Sequence, residues 1–93
     1  MEALSRTERV ELGQFLKEWR IKADYSQPSI AKKLGYNTPQ VISNWERGAA
    51  NVPAHALSGL VKYYKIPQGT MLGFLADVHT KYWAKKLYKV ARK

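Results

Sequence analysis

Between Ser26 and Gly48 the sequence SQPSIAKKLGYNTPQVISNWERG alternates Pro28, Gly35, Pro39 and Gly48, and that punctuation leaves room only for two short helices joined by a tight bend. Proline is tolerated in the first turn of a helix, where its missing N–H would have no intrahelical acceptor, while glycine takes the positive φ that ends one. Ser26 is a good N-cap, so the first helix is expected from about Gln27. Ile30, Ala31 and Leu34 recur at the spacing of one apolar stripe, and Gly35 closes the run after roughly two turns. After Tyr36 and Asn37, Thr38 offers a second N-cap with Pro39 at the first helical position, and Gly48 ends the run from Pro39 to Arg47. Two such helices with a glycine-led turn make a helix-turn-helix.

The second helix turns Ile42 and Trp45 inward and leaves Gln40, Val41, Ser43, Asn44 and Arg47 outward or along its edges. Such a face carries little charge and much hydrogen-bonding capacity. Amide side chains can bind the N6 and N7 edge of adenine bidentately in a major groove, so the face can read bases, although the same residues also solvate ordinary surface helices.

The flanking sequence supplies support. Upstream, Ser5 and Glu8 form an S-x-x-E pair able to box a helix start, with Thr7 as a competing cap. Leu12, Phe15, Leu16, Trp19 and Ala23 keep helical spacing, which predicts a core-packed helix over about 7–23. Downstream, Pro53 starts a helix carrying Leu57, Leu60, Val61 and Tyr64 inward. Pro67, Gly69 and Thr70 mark a loop, and Thr70 is expected to cap a fifth helix whose Met71, Leu72, Phe74 and Leu75 close the core. The final DVHTKYWAKKLYKVARK contains no helix breaker and should continue or restart that helix to about Val90.

This spaced set resembles the DNA-binding domain of the Cro and lambdoid repressor superfamily, the XRE-type helix-turn-helix. The likeness covers roughly residues 12–75 and rests on Leu16, Arg20, Ser26-Gln27, Ile30-Ala31, Leu34-Gly35, Ile42-Ser43, Trp45-Glu46-Arg47-Gly48 and Pro53. The interval from Gly35 to Glu46 is one residue longer than the commonest family spacing, which enlarges the turn, and the loop Ala49 to Pro53 lacks the basic residues of many relatives. The resemblance implies an all-α fold: a five-helix DNA-binding domain over 1–76, extended over 77–93 by a basic amphipathic helix. It implies an ion pair between Arg20 and Glu46 that ties the first helix to the third. By resemblance and exposure, Pro39, Gln40, Val41 and Asn44 occupy base-facing positions. Gln27, Thr38, Ser43 and Arg47 are expected to meet the DNA backbone, with Lys32 and Lys33 as further candidates.

Charge agrees with a polyanionic partner. The formal net charge is +9, and the excess lies in the second half: residues 1–46 hold seven Lys or Arg against six acids, residues 47–93 nine against Asp77 alone. There is no cysteine, hence no disulfide or thiolate metal site, which suits a reducing cytoplasm. No apolar run is long enough to span a bilayer, and MEALSRTERVE lacks the apolar core of a signal peptide. His55 and His79 are isolated in sequence, no nucleophile and base are paired, and no glycine loop cradles a phosphate; neither an enzyme nor a cofactor is expected.

Trp83, Leu87 and Val90 lie at i, i+4 and i+7 among Lys81, Lys85, Lys86 and Lys89. That stripe could pack on its own domain or a second subunit, lie along DNA phosphates, or rest on an anionic membrane; packing is the favoured reading, with a homodimer as the natural cover. The sequence thus reads as a cytoplasmic, double-stranded DNA-binding transcriptional regulator, a repressor acting as a homodimer on a dyad-symmetric operator. The rival is an antitoxin-type module whose carboxy-terminal helix holds a toxin.

Overall fold

The computed structural model describes the backbone of residues 4–91 and the side chains of residues 4–81. Five helices follow one another: α1 (Arg6–Lys22), α2 (Gln27–Lys33), α3 (Gln40–Glu46), α4 (Ala54–Tyr64) and α5 (Gln68–Ala91), with no strand among the described residues.

Local chemistry sets each boundary. At the start of α1, Glu8 N donates to Ser5 Oγ at 3.3 Å and Ser5 N donates to Glu8 Oε1 at 2.8 Å, so Ser5 rather than Thr7 is the cap. Ser26 and Ser29 exchange the same pair of bonds at the start of α2. For α3, the Pro39 backbone is already helical at φ −72°, ψ −8°, and Gln40 N donates to Thr38 Oγ1 at 3.3 Å. Thr38 therefore acts as the cap one residue before the first regular turn.

The first four helices stop in one way. A residue with positive φ follows the last turn, and the next amide reaches back to a carbonyl five residues earlier, satisfying acceptors the helix leaves open. Tyr36 N donates to Ala31 O at 2.9 Å past Gly35, and Ala49 N to Asn44 O at 2.8 Å past Gly48. Tyr25 N donates to Arg20 O at 3.1 Å and Ile66 N to Val61 O at 3.0 Å, but there the left-handed residues are Asp24 and Lys65.

The core gathers one stripe from each helix: Leu12 and Leu16, Ile30 and Ala31, Ile42 and Trp45, Ala56, Leu60 and Tyr64, then Met71. Each large side chain removed from water contributes roughly 1.5–3 kcal/mol. The closest helix approach falls at Gly13 of α1, where a Cβ would collide with the backbone carbonyls of Trp45 and Glu46. A helix-weakening glycine is what lets α3 lie against α1.

Two expectations for the fifth helix are corrected. It begins at Gln68, not after a Thr70 cap, because the Pro67 carbonyl already accepts Met71 N at 3.0 Å. Leu72 does not close the core and is 57% exposed; the buried stripe is Met71 and Val78 with half-buried Phe74 and Leu75, and Leu72 falls about 100° away from Met71. α5 then runs without a break across residue 76, and Val78 beyond it is 2% exposed. No helix among the described residues is long and apolar enough to cross a membrane.

Candidate nucleic-acid interface

α3 is held by a buried ionic cluster at its carboxy-terminal end. Arg20 Nε and Nη2 donate to Glu46 Oε2 and Oε1 at 2.7 and 3.2 Å, a two-pronged pair between α1 and α3. Arg20 Nη1 donates to the Tyr25 carbonyl at 2.9 Å, and Gln27 Nε2 at the start of α2 donates to Glu46 Oε1 at 2.9 Å. The side chains are only 12% and 5% exposed. One carboxylate thus fixes three helices, and with them the angle at which α3 is presented. Burial pushes the neighbouring Tyr64 hydroxyl well above the usual tyrosine range, with the Glu46 charge adding to the effect and Arg20 opposing it.

The other anchors of α3 are apolar or backbone. Trp45 is buried and meets the edge of Tyr36 at 5.6 Å between ring centroids. Past the helix, Arg9 Nε donates to the Gly48 carbonyl at 2.9 Å, and Gly48 lies so close to α1 that a Cβ would come within 2.7 Å of Val10.

With its inner side so fixed, α3 turns Gln40, Asn44 and Arg47 outward at i, i+4 and i+7. They form a hydrogen-bonded row: Gln40 Nε2 donates to Asn44 Oδ1 at 3.0 Å, and Arg47 Nη2 donates to the same oxygen at 2.6 Å. Both lone pairs of that oxygen are engaged, leaving the Asn44 amide protons and the Gln40 carbonyl to face a partner. Pro39 and Thr38 are exposed beside the row.

Other candidate residues sit differently. Val41 is half-buried against the core, so only its edge is open to a base; Ser43 is half-buried too, as is Asn44 within the row. Gln27 has one amide proton on Glu46. Lys32 is exposed, while Lys33 Nζ lies 5.9 Å from the centre of the Tyr63 ring on α4. The side chains of Trp83, Leu87 and Val90 lie outside the described residues. Among those described, no group of three or more His, Asp or Glu could hold a metal ion.

Two contributors, Gly13 and Arg9, were not singled out from the sequence, and Gly48 was read there without its packing role. Gly13 reads there as a weakness in a helix, and only the collision its Cβ would make reveals its use. Arg9 looks like any surface cation of a basic chain, and Gly48 signals only a helix end. The second role of Gln27, as a ligand of Glu46, has a faint signal in being an amide at the head of a helix with a buried carboxylate elsewhere.

A family model described as a helix-turn-helix domain matches residues 11–72. No curated protein and no solved structure matches the chain. The matched span takes in most of α1, all of α2, α3 and α4, and the start of α5, including the Arg20, Gln27 and Glu46 cluster and the outward row of α3. The chain belongs to the helix-turn-helix domain family, of the XRE and Cro kind.

Proposed function

We propose that this helix-turn-helix protein is a sequence-specific, double-stranded DNA-binding transcriptional regulator, a repressor that acts as a homodimer in the cytoplasm. The observation that carries the reading is the row Gln40, Asn44 and Arg47 on a helix anchored by its opposite side. Rigid support matters because base readout needs side chains placed within a few tenths of an ångström, and hydrogen bonds already join the members of the row before DNA arrives. On binding, Asn44 gives up one internal hydrogen bond and takes up the N6 and N7 edge of adenine; both states are hydrogen-bonded, so the exchange costs little.

In this reading Pro39, Gln40, Val41 and Asn44 face bases, and Val41 offers its exposed edge to a thymine methyl. Thr38, Ser43 and Arg47 meet the backbone beside them, Gln27 uses its remaining amide proton, and Lys32 and Lys33 add charge at longer range. The net charge of +9 draws the chain to the duplex whatever its sequence.

The test is equilibrium binding to a preferred site. Gln40→Ala and Asn44→Ala are expected to cost about 1–3 kcal/mol on that site and to relax selectivity at one base pair each. Arg47→Ala is expected to weaken all sequences alike and to lower the slope of log affinity against log salt by about 0.9. Unchanged affinity and selectivity in both amide variants would remove the assignment. An antitoxin-type role shares the DNA binding and differs in one observable, a stoichiometric second protein retained on purification from the natural host.

A further inference from the structure

α1 and α5 leave an open groove of about 450 Å3 between them, floored by Val10, Phe15 and Phe74 and edged by Glu11, Glu18 and Lys81. Phe15 and Phe74 stack with ring centroids 4.1 Å apart, and Val10 is 44% exposed. The groove is also where this basic chain collects acid. Glu8 and Glu46 are buried in internal hydrogen bonds, whereas Glu11 and Glu18 line this groove; Asp77 stands just outside it, one turn before Lys81, whose Nζ is 3.4 Å from Asp77 and 4.0 Å from Glu11.

We infer that the occupant of this groove is the basic carboxy-terminal segment of a second copy of the chain, each copy laying its tail in the groove of the other. The inference rests on the homodimer reading above and supplies its surface and arrangement. A copy cannot fill its own groove, because α5 is one wall of it and runs unbroken to Ala91. A straight helix does not return across a cleft that it lines.

Charge selects the arrangement. Residues 82–93 contain Lys85, Lys86, Lys89, Arg92 and Lys93 and no acid, and they space Trp83, Leu87 and Val90 for one apolar stripe. Packing tail on tail across a twofold axis would set these five cations against five more. Packing tail in groove sets them against Glu11 and Glu18, with Asp77 beside the groove, and offers the apolar stripe the Val10, Phe15 and Phe74 floor. Like charges brought together at an interface are strongly penalised, and opposite ones fix its register. No residue of α3 lines the groove.

Sedimentation velocity on the full chain tests this with three proteins: wild type, the groove variant Glu11→Lys with Glu18→Lys, and the tail variant Lys85→Glu with Lys86→Glu and Lys89→Glu. Wild type is expected to dimerise, more weakly as sodium chloride rises from about 50 to about 500 mM. Each variant alone should associate about tenfold more weakly or worse. An equimolar mixture should recover wild-type association, because a reversed tail meets a reversed groove on one side and the native pair forms on the other; recovery also shows that both variants fold. The milder Glu11→Gln with Glu18→Gln, which keeps side-chain shape, should flatten the salt dependence.

Opposite results overturn the inference: a dimer that tightens with salt, a groove variant that associates like wild type, or a salt dependence untouched by the glutamine pair. Better association of the tail variant with wild type than of wild type with itself, while the groove variant remains normal, would assign the contact to tail on tail. Each of these leaves the homodimer standing; a monomeric wild type would remove both readings.

Discussion

Arg20→Ala should destabilise the fold itself, well beyond any effect on DNA. The substitution removes two of the three side-chain hydrogen bonds to a carboxylate that is 5% exposed, leaving Glu46 with Gln27 alone, and it strips the Tyr25 carbonyl of its guanidinium partner. A buried charge stranded by loss of its partner costs about 3–5 kcal/mol. A domain of this size holds roughly 5–15 kcal/mol in total, and each kcal/mol is worth roughly 4–8 °C in Tm, so the variant should melt about 12 °C or more below wild type. Glu46→Ala should cost a similar amount, since it leaves the guanidinium with only the Tyr25 carbonyl. The double variant separates the pair from its surroundings: with both charges gone, the loss should fall short of the sum of the single losses by about 2 kcal/mol or more. Thermal and denaturant melts of the four proteins at one pH complete the cycle. Two singles within about 1 kcal/mol of wild type, or strictly additive losses, would refute the claim that this pair holds α1 and α3 together.

Gly13→Ala should cost about 1–3 kcal/mol, because the methyl meets backbone carbonyls of Trp45 and Glu46 that cannot swing away, whereas Gly35→Ala, in open space at φ +88°, should cost roughly 1 kcal/mol from backbone strain alone. Equal melts for wild type and Gly13→Ala would contradict the close helix approach. Lys65→Gly should raise stability by about 0.5–1 kcal/mol in chemical denaturation, since Lys65 is held at φ 56° without a glycine's freedom; a lower midpoint would oppose this. Because burial holds the Tyr64 proton above the usual tyrosine range, the unfolded chain releases it near pH 10 while the folded chain keeps it. Its contribution is full below about pH 10 and is lost as pH rises beyond, so Tyr64→Phe should lose Tm less steeply than wild type between about pH 9 and 11, and parallel curves would count against the burial argument.

What the sequence could and could not disclose follows from the range of each signal. Ser26, Gly35, Thr38 and Gly48 act on their own helix ends, so the limits of α2 and α3 are legible to within about one residue. The ends of α1 and α4 use the same backbone motif with Asp24 and Lys65 in place of glycine, and no composition rule marks a lysine as left-handed. The apolar stripe of α5 was visible only up to its phase: Leu72 sits among good core residues, and the burial of Met71 and Val78 decides against it. At the site, the outward placement of Gln40, Asn44 and Arg47 followed from helical spacing. The hydrogen bonds that join them, the second partner of Gln27 and the packing role of Gly13 depend on distances between side chains or helices, to which periodicity is blind. Arg20 and Glu46, 26 residues apart, were linked in the sequence by resemblance alone, since no local rule joins charges at that separation.

The central claim is that Gln40 and Asn44 of the outward row of α3 read bases in double-stranded DNA, and repeated selection of bound duplexes from a random pool tests it most directly. The account predicts a dyad-symmetric motif for wild type with half-sites roughly 10 bp apart centre to centre, as two recognition helices entering successive major grooves require. It further predicts that Asn44→Ala selects a motif relaxed at one position in each half-site. No enrichment over the starting pool, or the same motif recovered by both Gln40→Ala and Asn44→Ala, would contradict it.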